Sequence, residues 1–289
     1  MKGTREVREI RPGVPTLEGA GVRLRRLFGF EKNPALDPFL LLDDFSSTEP
    51  SAYMAGFPWH PHRGIETITY LLQGEVEHGD SMGNRGVIGP GEVQWMTAGS
   101  GIVHQEMPRE SRTTGLQGFQ LWANLPAAEK MMAPRYRGIT ARQIPLVRRK
   151  DGAQVRVVSG ELDGVRGPVR EIRIDPEYFD VEVPAGATFS HELPADYALF
   201  AYVFAGRGDF SPGRKKTVSA GSLVTFGAGD SVMIVGGDAG VRFLLVAGKP
   251  LREPVAWRGP IVMNSAAELR RAFAEYEAGT FLKHRAVLD

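Results

Sequence analysis

The sequence predicts an all-β protein that contains two copies of one small barrel. Short apolar runs separated by glycine-rich turns recur along the 289 residues, a pattern typical of strands joined by tight turns. A faint internal repeat supports the duplication: YLLQGEV at Tyr70 resembles YVFAGRG at Tyr202, and GEVQWMTAG at Gly91 resembles GSLVTFGAG at Gly221. The offsets of 132 and 130 residues make each copy about half of the chain.

The composition excludes several classes of protein. Hydrophobic residues make up 42% and charged residues 24%, as in ordinary globular proteins, and a net charge of +1 does not favour nucleic acid or membrane partners. The chain has no cysteine, so disulfides and thiolate metal sites are excluded. Charges occupy the N-terminus where a signal peptide would need an apolar segment, and no apolar run is long enough to span a bilayer. We therefore expect a cytoplasmic protein.

The elements of the N-terminal half follow from its apolar runs. After irregular short strands over 4–30, strands are predicted at 36–45, 64–72, 92–97, around His104 and at 119–123, with a hairpin region at 74–91. A short helix bounded by two prolines is predicted at 126–133. The basic, turn-rich segment 136–151 is interpreted as a connection, so the predicted domains are 1–134 and 135–289.

The C-terminal half repeats this style and ends in a helix. Strand-like segments lie at 155–158, 169–174, 179–183, 199–204, 222–226 and 241–246. Ser265 and Glu268 form a capping box, and Gly279 ends the helix. The helix carries one apolar stripe, which predicts that it packs on the outside of a barrel.

Two groups of charged residues near the N-terminus are interpreted as structural. Arg23, Arg25 and Arg26 are expected to form a solvated strand face. Asp43 and Asp44 follow a continuous apolar run. Adjacent strand residues point to opposite faces, so these two carboxylates cannot serve one site. Capping and turn roles are expected for both.

Two pairs of polar residues predict a metal site. His60 and His62 are one residue apart, and so are His104 and Glu106. Because the side-chain period of a strand is two residues, each pair projects from one face. If the two strands face each other inside a barrel, three imidazole nitrogens and one carboxylate oxygen converge as a metal site of N/O type. Four ligands on a six-coordinate metal would leave two positions open for substrate or dioxygen.

Glu66 is a further candidate near this site. It shares the parity of His60 and His62, so it is expected to be a fifth ligand or a carboxylate that orients a histidine. A turn between residues 61 and 64 would break that parity. His78 and His284, each taken alone, are interpreted as ordinary polar residues.

The second copy of the barrel lacks the metal-binding pattern. His191 maps to His60, but the other three positions of the pattern are occupied by Leu193, Ile234 and Gly236. A structural role is therefore expected for His191, and one metal ion is expected, in the N-terminal half.

These segments resemble the pirin family, a branch of the cupin superfamily. The resemblance rests on HPHRGIET followed by GEVQWMTAGSGIVHQEMP, and on LDPFLLLDDF, FPWHPHRG, FQLWANLP and NSAAELRRAFAEYEAGTF in the same order, so it covers nearly the whole chain. It implies two stacked cupin barrels that face each other, with one iron(II) ion per chain in the N-terminal barrel. The ligands implied are His60, His62, His104 and Glu106.

The resemblance also bears on two neighbouring residues. Glu66 is not a ligand in the pirin pattern, which moves it out of the ligand set. Trp59 replaces a polar residue of the animal branch, and this would alter the substrate range if Trp59 lines the mouth of the cavity.

The resemblance implies two functions. Several pirins open the flavonol quercetin with dioxygen, so one hypothesis is a quercetin 2,3-dioxygenase that releases carbon monoxide and uses Glu106 as the base for the 3-hydroxyl proton. Others are transcriptional co-regulators that sense the oxidation state of iron, so a second hypothesis is a redox-sensing iron protein that binds a partner protein.

A structural metal in a non-catalytic barrel is the third hypothesis. Nickel, copper, manganese, cobalt or zinc could replace iron, since affinity alone discriminates poorly among these ions. A monomer is expected in each case.

Overall fold

The chain divides into two compact units in a computed structural model that describes residues 3–30, 35–109, 115–211 and 216–284. The N-terminal unit comprises Val14–Ala141 and Leu251–Asp289, and the C-terminal unit comprises Met1–Gly13 and Arg142–Pro250. Both units are therefore discontinuous in sequence. Separate domains at 1–134 and 135–289 stay a prediction.

Strands dominate the structure, which confirms the predicted all-β class. The first twelve strands are β1 (Val7–Pro12), β2 (Val14–Glu18), β3 (Val22–Phe28), β4 (Phe39–Asp44), β5 (Phe57–His62), β6 (Ile65–Gln73), β7 (Val76–Asp80), β8 (Arg85–Ile88), β9 (Val93–Thr97), β10 (Ile102–Pro108), β11 (Gln117–Asn124) and β12 (Arg135–Ile139). The others are β13 (Leu146–Arg148), β14 (Gln154–Ser159), β15 (Glu161–Leu162), β16 (Val165–Arg166), β17 (Glu177–Val183), β18 (Thr188–Glu192), β19 (Ala198–Asp209), β20 (Thr217–Ser219), β21 (Ser222–Phe226), β22 (Ser231–Gly248), β23 (Ala256–Arg258) and β24 (Ile261–Met263). The helices are α1 (Pro50–Tyr53) and α2 (Ala266–Glu277), with one 3-10 turn at Ala127–Glu129.

Two antiparallel sheets build the barrel of the N-terminal unit. One has the strand order β12-β9-β6-β11-β4-β3-β2, and the other has the order β5-β10-β7-β8. Their inner faces share apolar clusters, such as Ile65 and Met96 from the larger sheet with Ile102 from the smaller one. Packing of the two sheets therefore fixes β5 and β10, which carry the predicted metal ligands, against the larger sheet.

The C-terminal unit is organised around one large antiparallel sheet. Its main path is β1-β21-β19-β22-β17-β14-β13, with β18 and β20 paired to β22 and β19. The apolar core is drawn from nearly all of these strands and includes the fully buried Phe179, Phe189 and Phe243. The strands predicted at 155–158, 179–183, 199–204, 222–226 and 241–246 are confirmed. The strand predicted at 169–174 is wrong, because this segment is irregular and Val169 forms only an isolated bridge to Ser159.

The short helix predicted at 126–133 is reduced to the 3-10 turn at Ala127–Glu129. Two competing contacts explain the difference. The backbone carbonyl of Met132 accepts a hydrogen bond from the backbone nitrogen of Ser100, and the buried ammonium group of Lys130 donates to oxygen atoms outside the segment. These contacts to neighbouring segments outweigh local helix propensity.

Helix α2 begins as the capping box predicts. The Ser265 hydroxyl accepts a hydrogen bond from the Glu268 backbone nitrogen at 3.2 Å, and such a cap contributes about 1 kcal/mol. The helix packs against the β23–β24 hairpin, with Ala272 in a cluster that includes Ile261 and Met263. It therefore belongs to the N-terminal unit, although it follows the C-terminal half in sequence. No helix in the described parts of the chain is long and apolar enough to cross a membrane.

Candidate metal centre

Three histidines converge where β5 and β10 pair. His60 lies directly opposite His104 in the antiparallel register, and His62 lies two residues along the same strand. One ring nitrogen from each of the three lies within 4.8 Å of the others. The alternation of side chains along β5 and the pairing of the two strands therefore confirm that these three residues come together.

The tautomers of His60 and His62 are fixed by backbone carbonyls. His60 Nδ1 lies 2.8 Å from the Pro58 carbonyl oxygen, and His62 Nδ1 lies 3.1 Å from that of Pro260. A carbonyl oxygen only accepts, so both Nδ1 atoms carry the proton and both Nε2 atoms carry a lone pair. The two Nε2 atoms are 3.0 Å apart. With both rings neutral the two lone pairs face and repel each other, so a cation between them, a metal ion or a proton, relieves the contact.

His104 points to the same conclusion. Its side chain is completely buried, and neither ring nitrogen has a hydrogen-bond partner among the described residues. Burial, followed by the nearby His60 and His62, lowers the pKa of His104 well below its usual range, and burial likewise lowers the pKa of His62. Both imidazoles are therefore neutral, the form that ligates metals. Burying unpaired nitrogens is costly, and a metal ion would satisfy the one that carries the lone pair.

Glu106 lies beside this cluster but outside the group of three. A bulge shifts the register of β10 against β5 between His104 and Glu106. The Glu106 carboxylate accepts hydrogen bonds from Thr69 Oγ1 at 2.7 Å and Gln94 Nε2 at 3.0 Å, both on Oε1, and from Gln120 Nε2 at 3.2 Å on Oε2. The three histidines can hold a metal ion, whereas a ligand role for Glu106 stays a prediction.

Thr69, Gln94 and Gln120 are functional candidates that the sequence reasoning missed. They lie on β6, β9 and β11 and together fix the orientation of the Glu106 carboxylate. A signal was present, because Gln94 and Gln120 are amide residues within apolar strands. Such strands bury polar groups only where partners are available.

A cavity of about 370 Å³ opens beside the cluster. It is lined by His60, His62, Glu106 and Gln120, and its other walls include Glu18, Leu24, Arg26, Phe30, Leu41, Asp43, Phe45, Phe57 and Trp122. A largely apolar lining with a few convergent polar groups is typical of small-molecule sites. The loop between β23 and β24 closes one side through Gly259 and Pro260.

Two interpretations of charged residues from the sequence are wrong in part, since Arg23 and Arg25 are exposed as expected but Arg26 and Asp43 are not. Arg26 is not on a solvated face: its guanidinium lines the cavity and forms a bidentate pair with Asp43, at 2.9 and 2.7 Å. Asp43 is buried in that pair and has no capping role, whereas Asp44 accepts from the Ser46 backbone nitrogen as a turn residue does. The sequence showed that Asp43 and Asp44 face opposite ways, but it did not show what lies on each side.

Glu66 does not orient a histidine. Its carboxylate accepts hydrogen bonds from Trp95 Nε1 and Thr97 Oγ1, and burial raises its pKa. The turn at Gly64 breaks the parity. This residue has φ +79°, and a Cβ there would lie 1.9 Å from the Val262 carbonyl oxygen, so glycine is required.

Other predicted residues lie away from the cavity. Trp59 is 53% exposed and packs near Gly79, outside the cavity lining. His78 is buried, with its Nε2 atom 3.0 Å from Asp80, and its ring stacks on Tyr136. In the C-terminal unit, His191 Nε2 lies 2.8 Å from Glu177, which is consistent with a structural role.

Comparison with known proteins places the chain in a family. A family model described as Pirin matches residues 21–123, and one described as the Pirin C-terminal cupin domain matches residues 178–282. A pirin-like protein of Caulobacter vibrioides is 45% identical and covers 96% of this chain and 99% of its own. A Pseudomonas aeruginosa protein, named only provisionally as a quercetin 2,3-dioxygenase, is 40% identical over 96% of this chain and 99% of its own.

A solved structure gives the same result. The crystal structure of quercetin 2,3-dioxygenase from Acinetobacter baumannii superimposes with a TM-score of 0.87 at 29% identity, covering 96% of this chain and 99% of that one. The two family models together span most of the sequence and account for both barrels. The chain therefore belongs to the pirin family and has its two cupin domains.

Proposed function

We propose that this protein is a dioxygenase that opens the heterocyclic ring of flavonols such as quercetin, with iron(II) held by His60, His62, His104 and Glu106. The observation that carries the proposal is the set of three histidines beside a fixed carboxylate, with His60, His62 and Glu106 lining one mainly apolar cavity. The relatives named for quercetin dioxygenase activity support the same substrate class.

The metal and the protein have separate tasks in this reaction. When bound, iron would supply Lewis-acid attraction for the flavonol oxygens and the redox chemistry for dioxygen. The backbone carbonyls of Pro58 and Pro260 keep the two Nε2 atoms of β5 ready for coordination. Ligation by imidazole nitrogens would leave a bound ion much of its positive charge, which would favour an ionised substrate oxygen.

Glu106, partly released from the metal, would take the 3-hydroxyl proton as a general base. Its Oε1 atom accepts two hydrogen bonds, from Thr69 and Gln94, whereas Oε2 accepts the longer one from Gln120. Oε2 is thus the less engaged oxygen, and it belongs to a residue that lines the cavity. A proton transferred to Oε2 leaves the Oε1 contacts in place, so the base stays positioned during the reaction.

The cavity walls exclude water from the reacting atoms. Leu24, Leu41, Phe45 and Phe57 present apolar surface to a bound planar ring system. Fewer water molecules strengthen the interaction of the Glu106 carboxylate with the substrate hydroxyl, because the local dielectric constant falls.

Oxygen uptake tests the proposal directly. Protein loaded with iron(II) without oxygen should consume dioxygen and release carbon monoxide when quercetin is added, and H104A protein should do neither. Metal content is measured in parallel. Wild-type protein that retains iron but consumes no oxygen with quercetin would contradict the dioxygenase and favour the iron-sensing hypothesis.

A further inference from the structure

A row of polar side chains crosses the larger sheet of the N-terminal barrel. Arg26, Asp43, Gln120, Thr69 and Gln94 lie on the adjacent strands β3, β4, β11, β6 and β9, and each is directly paired with the next. Directly paired residues of antiparallel strands project from the same face. Thr69, Gln94 and Gln120 donate hydrogen bonds to Glu106. Arg26 and Asp43 have no part in the reaction proposed above.

Arg26 and Asp43 form a fixed polar site in the cavity wall. The guanidinium donates to both oxygens of Asp43 and, at 2.8 Å, to Glu18, and all three residues line the cavity. Burial raises the pKa of Asp43 to about 6 against the opposing effect of Arg26, so the carboxylate is ionised at neutral pH. A buried ion pair adds little stability compared with apolar packing, but it is a strong acceptor and donor for hydroxyl groups.

The position of this site fits an extended aromatic ligand. Neighbouring strands lie about 4.8 Å apart, so Arg26 on β3 is two spacings, roughly 10 Å, from Gln120 on β11, which holds Glu106. Arg26 also lies 4.8 Å from the ring centre of Phe30, which stacks on Trp257 at 4.7 Å. Aromatic surface beside a donor and acceptor pair favours a planar ring that carries hydroxyl groups.

We infer that Arg26 and Asp43 form a subsite for phenolic hydroxyl groups on the part of the substrate that lies away from the metal-binding oxygens. The inference rests on the flavonol reaction proposed above and adds its selectivity. A phenolic O–H donates to the Asp43 carboxylate, and the phenolic oxygen accepts from an Arg26 N–H. The preferred substrates are therefore polyhydroxylated flavonols rather than flavonols with bare outer rings.

Two probes test the subsite. Quercetin carries hydroxyl groups on both outer rings, and 3-hydroxyflavone has the same metal-binding oxygens without them. The ratio of their kcat/KM values is measured by oxygen uptake, because this ratio does not depend on the fraction of folded or loaded enzyme. Wild-type protein should favour quercetin by about tenfold or more, and D43N and R26K should each reduce this preference to about threefold or less.

Asp44 provides the matched control. It is adjacent to Asp43 but faces the other side of β4, so D44N should keep the wild-type ratio. Unchanged ratios in both D43N and R26K, with turnover of both flavonols, would overturn the subsite and leave the dioxygenase proposal standing.

Binding without oxygen separates the two proposals. Dissociation constants of iron-loaded protein for the two flavonols are measured anaerobically by quenching of tryptophan fluorescence. If wild-type protein prefers quercetin and D43N does not, while neither flavonol is oxidised in air, the subsite stands and the reaction fails. Equal affinity of wild-type protein for the two flavonols would overturn the subsite.

Discussion

The Nε2 atoms of His60 and His62 lie 3.0 Å apart, and both carry lone pairs. This contact is unfavourable until a cation relieves it, so a bound metal should stabilise the fold. At a free metal concentration of one hundred times Kd, the expected gain is about 2.7 kcal/mol. Thermal unfolding of chelator-treated protein with and without iron(II), nickel(II) or zinc(II) measures it. H104A protein should lose most of the gain, and an equal gain in H104A would contradict this site.

Replacement of Thr69 should reduce turnover more than it reduces metal binding. Replacing it with valine removes the hydroxyl that donates to Glu106 Oε1, so kcat should fall about tenfold while the bound metal is retained. T67V is a matched control, since Thr67 is buried on the same strand and its hydroxyl has no partner among the described residues. Oxygen uptake and metal analysis measure the two effects. Equal losses in T69V and T67V would show that general packing, and not the Glu106 contact, is responsible.

Arg63, the residue after β5, should be important for stability because its side chain bonds to residues of the C-terminal segment. Its guanidinium donates to the carbonyl oxygens of Ser100 and Phe281 and pairs with Glu275 at 2.8 Å. R63M should therefore lower the free energy of unfolding by about 3 kcal/mol, since buried acceptors lose their partners. Denaturant unfolding measures the change. Lys283 contacts the same Glu275 from a more exposed position, and K283M should cost less than about 0.5 kcal/mol.

Because the pKa of Lys130 is lowered, the free energy of unfolding should rise with pH in the alkaline range. Burial lowers its pKa from 10.5 to about 7, and its ammonium group donates to Gly64 O, Asn124 Oδ1 and Val262 O. Between pH 7 and 10 the unfolded chain binds this proton and the folded chain does not, so unfolding becomes less favourable as pH rises. The stability of wild-type protein relative to K130M should increase by up to about 1.4 kcal/mol per pH unit. A difference independent of pH in this range would contradict the shift.

Sequence periodicity predicted the parts of the site that depend on one strand. His60 and His62 meet because alternate residues of β5 share a face, and pairing with β10 adds His104. The periodicity failed where the backbone is irregular. The bulge after His104 shifts the register of β10 against β5 at Glu106. The Gly64 turn directs Glu66 towards Trp95 and Thr97.

Contacts between distant strands were beyond the sequence pattern. Arg26 follows the alternating Arg23 and Arg25 and shares the parity of the buried Val22 and Leu24, but only the pairing of β3 with β4 places Asp43 beside it. The same holds for Gln94 and Gln120, whose meaning depends on a carboxylate that reaches them from the other sheet. The role of such residues depends on which strands pair in the folded protein, because the same sequence pattern occurs on exposed strands and on strands that line a cavity.

The carbonyl oxygen of Pro260 that fixes His62 lies 198 residues further along the chain. During synthesis, the two barrel strands that carry the histidines leave the ribosome long before this carbonyl does, and domains generally fold as they emerge. The order of synthesis therefore separates barrel formation from completion of the site. A nascent chain that stops before Leu251 would present His62 without its partner, so we expect tight metal binding only from chains in which the β23–β24 hairpin has joined the N-terminal unit.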